Sequence, residues 1–180
     1  DGDEVVGAVV PIKDEVAESG KYKVDDTPVD APELTPDEAA LKQLTVAAKP
    51  ASRGVVFPMW SEAKKENQDV VGDTFGYFGI TQIKDADGKG VGWHVVHIPS
   101  GLIAGSYGTK RDASIAAVVT QAGAPGPAVE KDLWSFTDKK EITGKQIAHG
   151  RTVNSLVDKG DYDGLLKLLR ESGHTAGLTE

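Results

Sequence analysis

Residues 75–107 constrain the fold more than any other part of this chain. Three runs, FGYFGITQI (75–83), VGWHVVHI (91–98) and GLIAGSY (101–107), are rich in β-branched and aromatic side chains, with turn residues between them. KDADGKG joins the first two with Asp-Gly turn chemistry. PSG leads from the second into the third and leaves Gly101 available for a positive φ. Connections this short make neighbouring strands antiparallel. GTKRDASIAAVVTQA follows, with Thr109 as the cap of a helix over 110–122. That helix is expected to lay Ala113, Ala116, Ala117 and Val118 or Val119 on the sheet, because small side chains let a helix backbone approach closely. The fold class expected is α+β, a three-stranded antiparallel sheet packed on helices.

The flanks are less regular. TPDEAALKQLTVAAK carries a capping box, Thr35 with Glu38, and a proline at the first helical position, so a helix is expected over 35–48. GVVFPMW (54–60) reads as a short strand, and the polar SEAKKENQD (61–69) as one or two helical turns. AGAPGPAVEKD has the composition of a linker. Beyond it, EITGKQIAHGRTVNSLVDKG reads as one or two helices weakened by Gly144 and Gly150. DYDGLLKLLRESG reads as a short helix burying Leu165, Leu166, Leu168 and Leu169, with Gly173 at its end. The organisation expected is an acidic extended arm (1–34), an α+β core domain (35–123), and a linker with a helical C-terminal extension (124–180).

Charge separates the arm from the body. Residues 1–38 hold twelve acids and three lysines, whereas residues 39–180 hold sixteen acids and seventeen bases. The body therefore lacks the overall positive field of a protein held to polyanions by net charge, and a nucleic-acid site would need local clustering. The arm has dense acid and little periodicity, which points to weak core-forming power. Its Val5, Val6, Val9, Val10 and Ile12 are expected to lie along a surface of the body or of a partner. The chain has no cysteine, which removes disulfides and thiol chemistry and suits a cytoplasmic or other reducing compartment. No apolar run approaches the ~18–20 residues of a membrane span, and no secretory signal pattern opens the chain, so no membrane role is expected.

Catalytic and metal patterns fail on spacing. DADGKG lacks the later acidic ligands of a calcium loop. Thr109 precedes Lys110, the wrong order for a phosphate loop. His94 and His97 stand three apart on a strand, which sends them to opposite faces. No cofactor, metal or catalytic residue is assigned, and a non-enzymatic protein is expected.

Two resemblances bear on function. Gly79, Gly92-Trp93, Gly105-Ser106-Tyr107, Thr109, Ala113, Ala116 and Ala117 make residues 79–117 similar to the DNA-binding modules of the AP2 and phage-integrase arm-binding type. That resemblance implies a sheet laid in the major groove, reading bases from its exposed face. Those modules carry arginines on their strands. Here the polar tips offered are Gln82, Lys84, Lys89, His94 and His97. Residues 108–122 also resemble the final helix of double-stranded-RNA-binding domains, with Lys110 and Arg111 in the basic positions and Ser114 where a third base is usual. Lys110 and Arg111 open a helix, where cations oppose the dipole but an anion is welcome.

The expected function is a non-enzymatic, nucleic-acid-associated binding protein of phage- or plasmid-like type. Its candidate contacts to duplex nucleic acid are Gln82, Lys84, Lys89, His94, His97, Lys110 and Arg111. The alternative is a protein-interaction or structural subunit whose arm (1–34) wraps a protein partner. A nucleic-acid binder should show a basic patch free of carboxylates, and an interaction subunit a large apolar patch.

Overall fold

The computed structural model describes residues 33–123 and 134–172. Most of the expected arm, the linker after Gly123, and Gly173 lie outside the described residues. Among the described residues, four α-helices and five strands occur in the order α1 (Pro36–Ala47), β1 (Ser52–Ser61), β2 (Glu66–Phe75), β3 (Phe78–Lys84), β4 (Gly90–His97), β5 (Ile103–Tyr107), α2 (Lys110–Ala122), α3 (Gly144–Asp158) and α4 (Tyr162–Glu171), with a single 3-10 turn at Lys139–Glu141 before α3. The α+β class stands. The sheet is a five-stranded antiparallel meander in the order β1-β2-β3-β4-β5, so the expectation of three strands is corrected.

The short strand expected over 54–60 is present as β1, and two local features account for the unexpected β2. The run 75–83 is not one strand: β2 ends at Phe75, and the chain turns through Gly76 (φ +69°) and Tyr77 before β3 begins. Gln121 Oε1 accepts the Tyr77 N–H at 2.7 Å and secures that turn to the end of α2. The stretch 61–69 forms a hairpin turn and the start of β2, not helical turns, because Phe57, Met59 and Ser61 pair with Val70, Gln68 and Glu66. Cross-strand pairing outweighs the helical preference of this polar, Lys- and Glu-rich stretch.

The two added strands change what the sheet exposes. Register puts Phe78, Ile80, Trp93, Val95 and His97 on one face and Gly79, Thr81, His94 and Val96 on the other. The helices cover the first face. The second is partly covered by the β1–β2 hairpin, whose Phe57 ring is 3% exposed and rests on two bare glycines. A Cβ at Gly79 would stand 2.7 Å from two atoms of that ring, and one at Gly72 would collide with the Ile80 carbonyl. Glycine is required at Gly72 by this close crossing. At its far end β1 closes back on the β4–β5 turn, where the Trp60 N–H donates to the Gly101 carbonyl at 2.8 Å. The backbone nitrogen of Trp60, and by alternation that of Pro58, therefore faces away from β2, so the proline removes no ladder hydrogen bond. The outer edge of β1 is thereby poor in free donors, which discourages edge-to-edge pairing.

The core lies between sheet and helices. Ala113, Ala116 and Ala117 are buried against the sheet side together with Phe78, Ile80 and Val95. Ile115 and Val119 are also buried, and the other three helices all contact α2. Of the Val118/Val119 alternatives, Val119 is the fully buried one. Val153, Val157, Leu165, Leu166 and Leu169 belong to this same buried cluster, while Leu168 is only partly buried. Helix starts follow the sequence: Thr35 and Glu38 form the reciprocal capping box, Thr109 accepts from the Asp112 N–H, and Thr143 with Gln146 forms a second box. That second box lets α3 begin at Gly144 and run through Gly150 as one helix.

Candidate functional site

The sequence candidates separate into three places. Lys84 and Lys89 flank the β3–β4 turn beside Asp85 and Asp87. The Asp85 Oδ1 accepts the backbone N–H groups of Asp87 at 3.0 Å and Lys89 at 2.9 Å. His94 is half-buried on the hairpin-covered face, its Nδ1 2.7 Å from Ser106 Oγ, and burial lowers its pKa. Gln82 pairs across the ladder with Trp93, whose ring lies under the Lys110 ammonium at 5.4 Å. Lys110 and Arg111 do meet, in a cleft of about 290 Å³ at the start of α2, and Arg53 joins them from β1.

Carboxylates already engage those cations. Lys110 Nζ lies 3.1 Å and Arg53 Nη1 3.5 Å from Asp73 Oδ2. The Asp73 side chain is only 12% exposed. It sits on the helix side of β2, facing the first turn of α2, and the two solvent-reaching cations balance its charge. Arg111 donates to the Tyr162 hydroxyl at 3.0 Å, and that hydroxyl donates to Asp112 at 2.8 Å. Burial, then the hydrogen bond to Asp112, raises the Tyr162 pKa. The cations at the start of α2 thus tie strand, helix and α4 together. They do not form a patch free of carboxylates.

His97 belongs to a different surface. It is 3% exposed on the helix side of β4. Its Nε2–H donates to the Trp134 carbonyl at 2.6 Å, and its Nδ1 pairs with Ser100 Oγ at 2.7 Å. Burial lowers its pKa against the opposing pull of the Trp134 carbonyl, so the ring is the neutral Nε2–H tautomer. Both nitrogens are engaged, and the ring serves to staple the chain at Trp134 to the sheet. The Phe136 ring stacks on it with centroids 4.2 Å apart, and Trp134 meets Phe78 edge-on at 5.0 Å. The Trp134 indole N–H finds no hydrogen-bond acceptor among the described residues and is sealed from solvent.

This aromatic cluster floors a groove of about 340 Å³ between β5 and α3. Its rim is aliphatic, with Ile103 at 41% and Ile147 at 38% exposure facing it. Arg151 and Asn154 enter from α3, one and two turns beyond Ile147. Asn154 Nδ2 donates to the Ala104 carbonyl at 3.2 Å, and its Oδ1 accepts from Tyr107 Oη. This caps the Ala104 carbonyl on the outer edge of β5, so the groove there presents a side chain in place of free backbone. Burial first, then the charges of Asp158 and Asp112, raises the Tyr107 pKa and keeps it a hydrogen-bond donor.

Sequence reasoning did not find the groove or Asp73. The signals that bear on it are the Trp134–Phe136 pair and the spacing Ile147, Arg151, Asn154 on one helix face. Neither says what lies opposite. Among the described residues, no helix is long and apolar enough to cross a membrane. Comparison with protein-family models, curated proteins and solved structures finds no match to this chain.

Proposed function

We propose that this chain is a non-enzymatic binding module whose working surface is the groove between β5 and α3, filled by an apolar segment of a protein partner. One observation carries the reading: two exposed isoleucines, from β5 and α3, flank an aromatic floor in a concave surface. Exposed aliphatic rims gain ~25 cal/mol per Å² when covered, and concave apolar surfaces are where such covering is specific. His97 offers no free nitrogen there. The acidic residues 1–34 enter this reading as an arm that follows the same partner. A random-peptide display library selected on the whole protein tests it. The result expected is enrichment of peptides with large apolar side chains, lost in Ile103→Asp and Ile147→Asp variants with unchanged thermal midpoints. No enrichment, or enrichment indifferent to both variants, refutes it.

A second reading, binding to duplex nucleic acid, rests on the cleft at the start of α2. Arg53, Lys110 and Arg111 line it with one carboxylate, Asp73, leaving an excess of positive charge. The ion pairs to Asp73 and Asp112 weigh against it. On this reading duplex DNA or RNA shifts the protein in a gel at ~50 mM salt, and Lys110→Ala with Arg111→Ala lowers the salt slope by up to ~2. Absence of any shift removes it.

A further inference from the structure

We infer that the segment this groove takes is acidic as well as apolar: a carboxylate of the partner pairs with Arg151 while a neighbouring large side chain enters between Ile103 and Ile147. The inference rests on the groove reading above and specifies the chemistry of the occupant. Arg151 is the only charged residue among the described residues lining the groove, and no carboxylate lines it. The three cations of the cleft at the start of α2, Arg53, Lys110 and Arg111, are each within ion-pair distance of an aspartate. Arg151 is exposed and, among the described residues, forms no ion pair or side-chain hydrogen bond.

Its place on the helix gives that free charge a direction. Ile147 and Arg151 are four apart on α3, so the guanidinium lies one turn from the aliphatic anchor on the same face. α3 also carries Lys145, and its single acid, Asp158, is at the far end. The charges that α3 itself carries near the groove are therefore positive. A guanidinium is weakly hydrated and planar, and it takes a carboxylate through two parallel hydrogen bonds. Against an apolar wall that pair is less exposed to solvent than a surface ion pair, and arginine beside aromatic and aliphatic anchors is a recurrent centre of binding energy. The occupant that satisfies both features is a peptide segment with Asp or Glu close to a large apolar residue.

The random-peptide library separates this inference from the reading beneath it. Wild-type protein should enrich peptides with Asp or Glu within a few residues of a large apolar side chain. A representative enriched peptide, followed by fluorescence polarisation, should lose about tenfold in affinity to Arg151→Ala, or ~1.4 kcal/mol. Arg151→Lys should recover part of that loss. Selection on Arg151→Glu should shift toward peptides with Lys or Arg in the same place. Arg151 is exposed, so these variants should melt with the wild type. Apolar enrichment without acidic bias, or unchanged affinity in Arg151→Ala, overturns the acidic assignment and leaves the groove reading standing. Failure of wild type to select anything overturns both. A concentration-dependent dimer in sedimentation equilibrium, abolished by Ile103→Asp, assigns the groove to a second copy of the chain and likewise overturns the peptide.

Discussion

The β1–β2 hairpin packs its Phe57 ring on one face of the sheet, and a double-mutant cycle between Phe57 and Gly79 tests that contact. Phe57 is 3% exposed, so Phe57→Ala should lose nearly the whole transfer energy of the ring and leave a cavity, a cost of ~3–5 kcal/mol. Gly79→Ala puts a methyl 2.7 Å from two ring carbons. Carbon contacts settle at ~3.5–4.0 Å, so the ring must retreat by about 1 Å. Gly72 already approaches it from the neighbouring strand, with a ring carbon 3.2 Å from where a Cβ would stand. Overpacking of this kind costs ~1–3 kcal/mol. The backbone at Gly79 has no positive φ, so the cost is steric and should vanish once the ring is gone. In the Phe57→Ala background the same methyl enters the vacated space, and the double variant should be no less stable than Phe57→Ala alone. Urea unfolding of the four proteins gives the coupling, expected at ~1–3 kcal/mol. Additivity within ~0.5 kcal/mol would mean that the ring does not rest on Gly79 and that the hairpin does not cover this face.

Three further outcomes follow from the same structure. Thr35→Ala breaks a capping box whose two hydrogen bonds are 2.9 and 3.1 Å, and should lower stability by ~0.5–2 kcal/mol in urea unfolding; an unchanged midpoint would place the start of α1 elsewhere. Ala116→Leu or Ala117→Leu forces a large side chain into a position with no exposure and should cost ~1–3 kcal/mol; tolerance of both would refute the close approach of α2 to the sheet. His97 and His149 have pKa values lowered by burial below the ordinary 6.5, so the unfolded chain takes up protons first as pH falls. Their stabilisation is fully present above that value and is lost below it. The urea midpoint should drop between about pH 7.5 and about pH 5.5, and His149→Gln should flatten the drop; a flat wild-type profile would contradict the burial of these rings.

What the sequence determined by itself was everything closed by near neighbours. Thr35 finds Glu38, Thr109 finds the Asp112 N–H, and Gly88 and Gly101 take the positive φ their turns require, all within a few residues. Alternation likewise sends His94 and His97 to opposite faces before any partner is known. Tertiary structure decided where a local signal was ambiguous or a partner distant. The apolar run 75–83 has no polar break to announce the turn at Gly76, and residues 66–70 become a strand only because β1 pairs with them. Lys110 and Arg111 read as solvent-facing cations until Asp73, 37 residues earlier, and Tyr162, 51 later, are brought beside them. The groove joins Phe78 and His97 on the sheet to Trp134, Phe136 and Arg151, which no periodicity relates. Such a surface arises from long-range packing, where burial and charge balance are settled by whichever distant side chain arrives, and a local pattern carries no record of that partner.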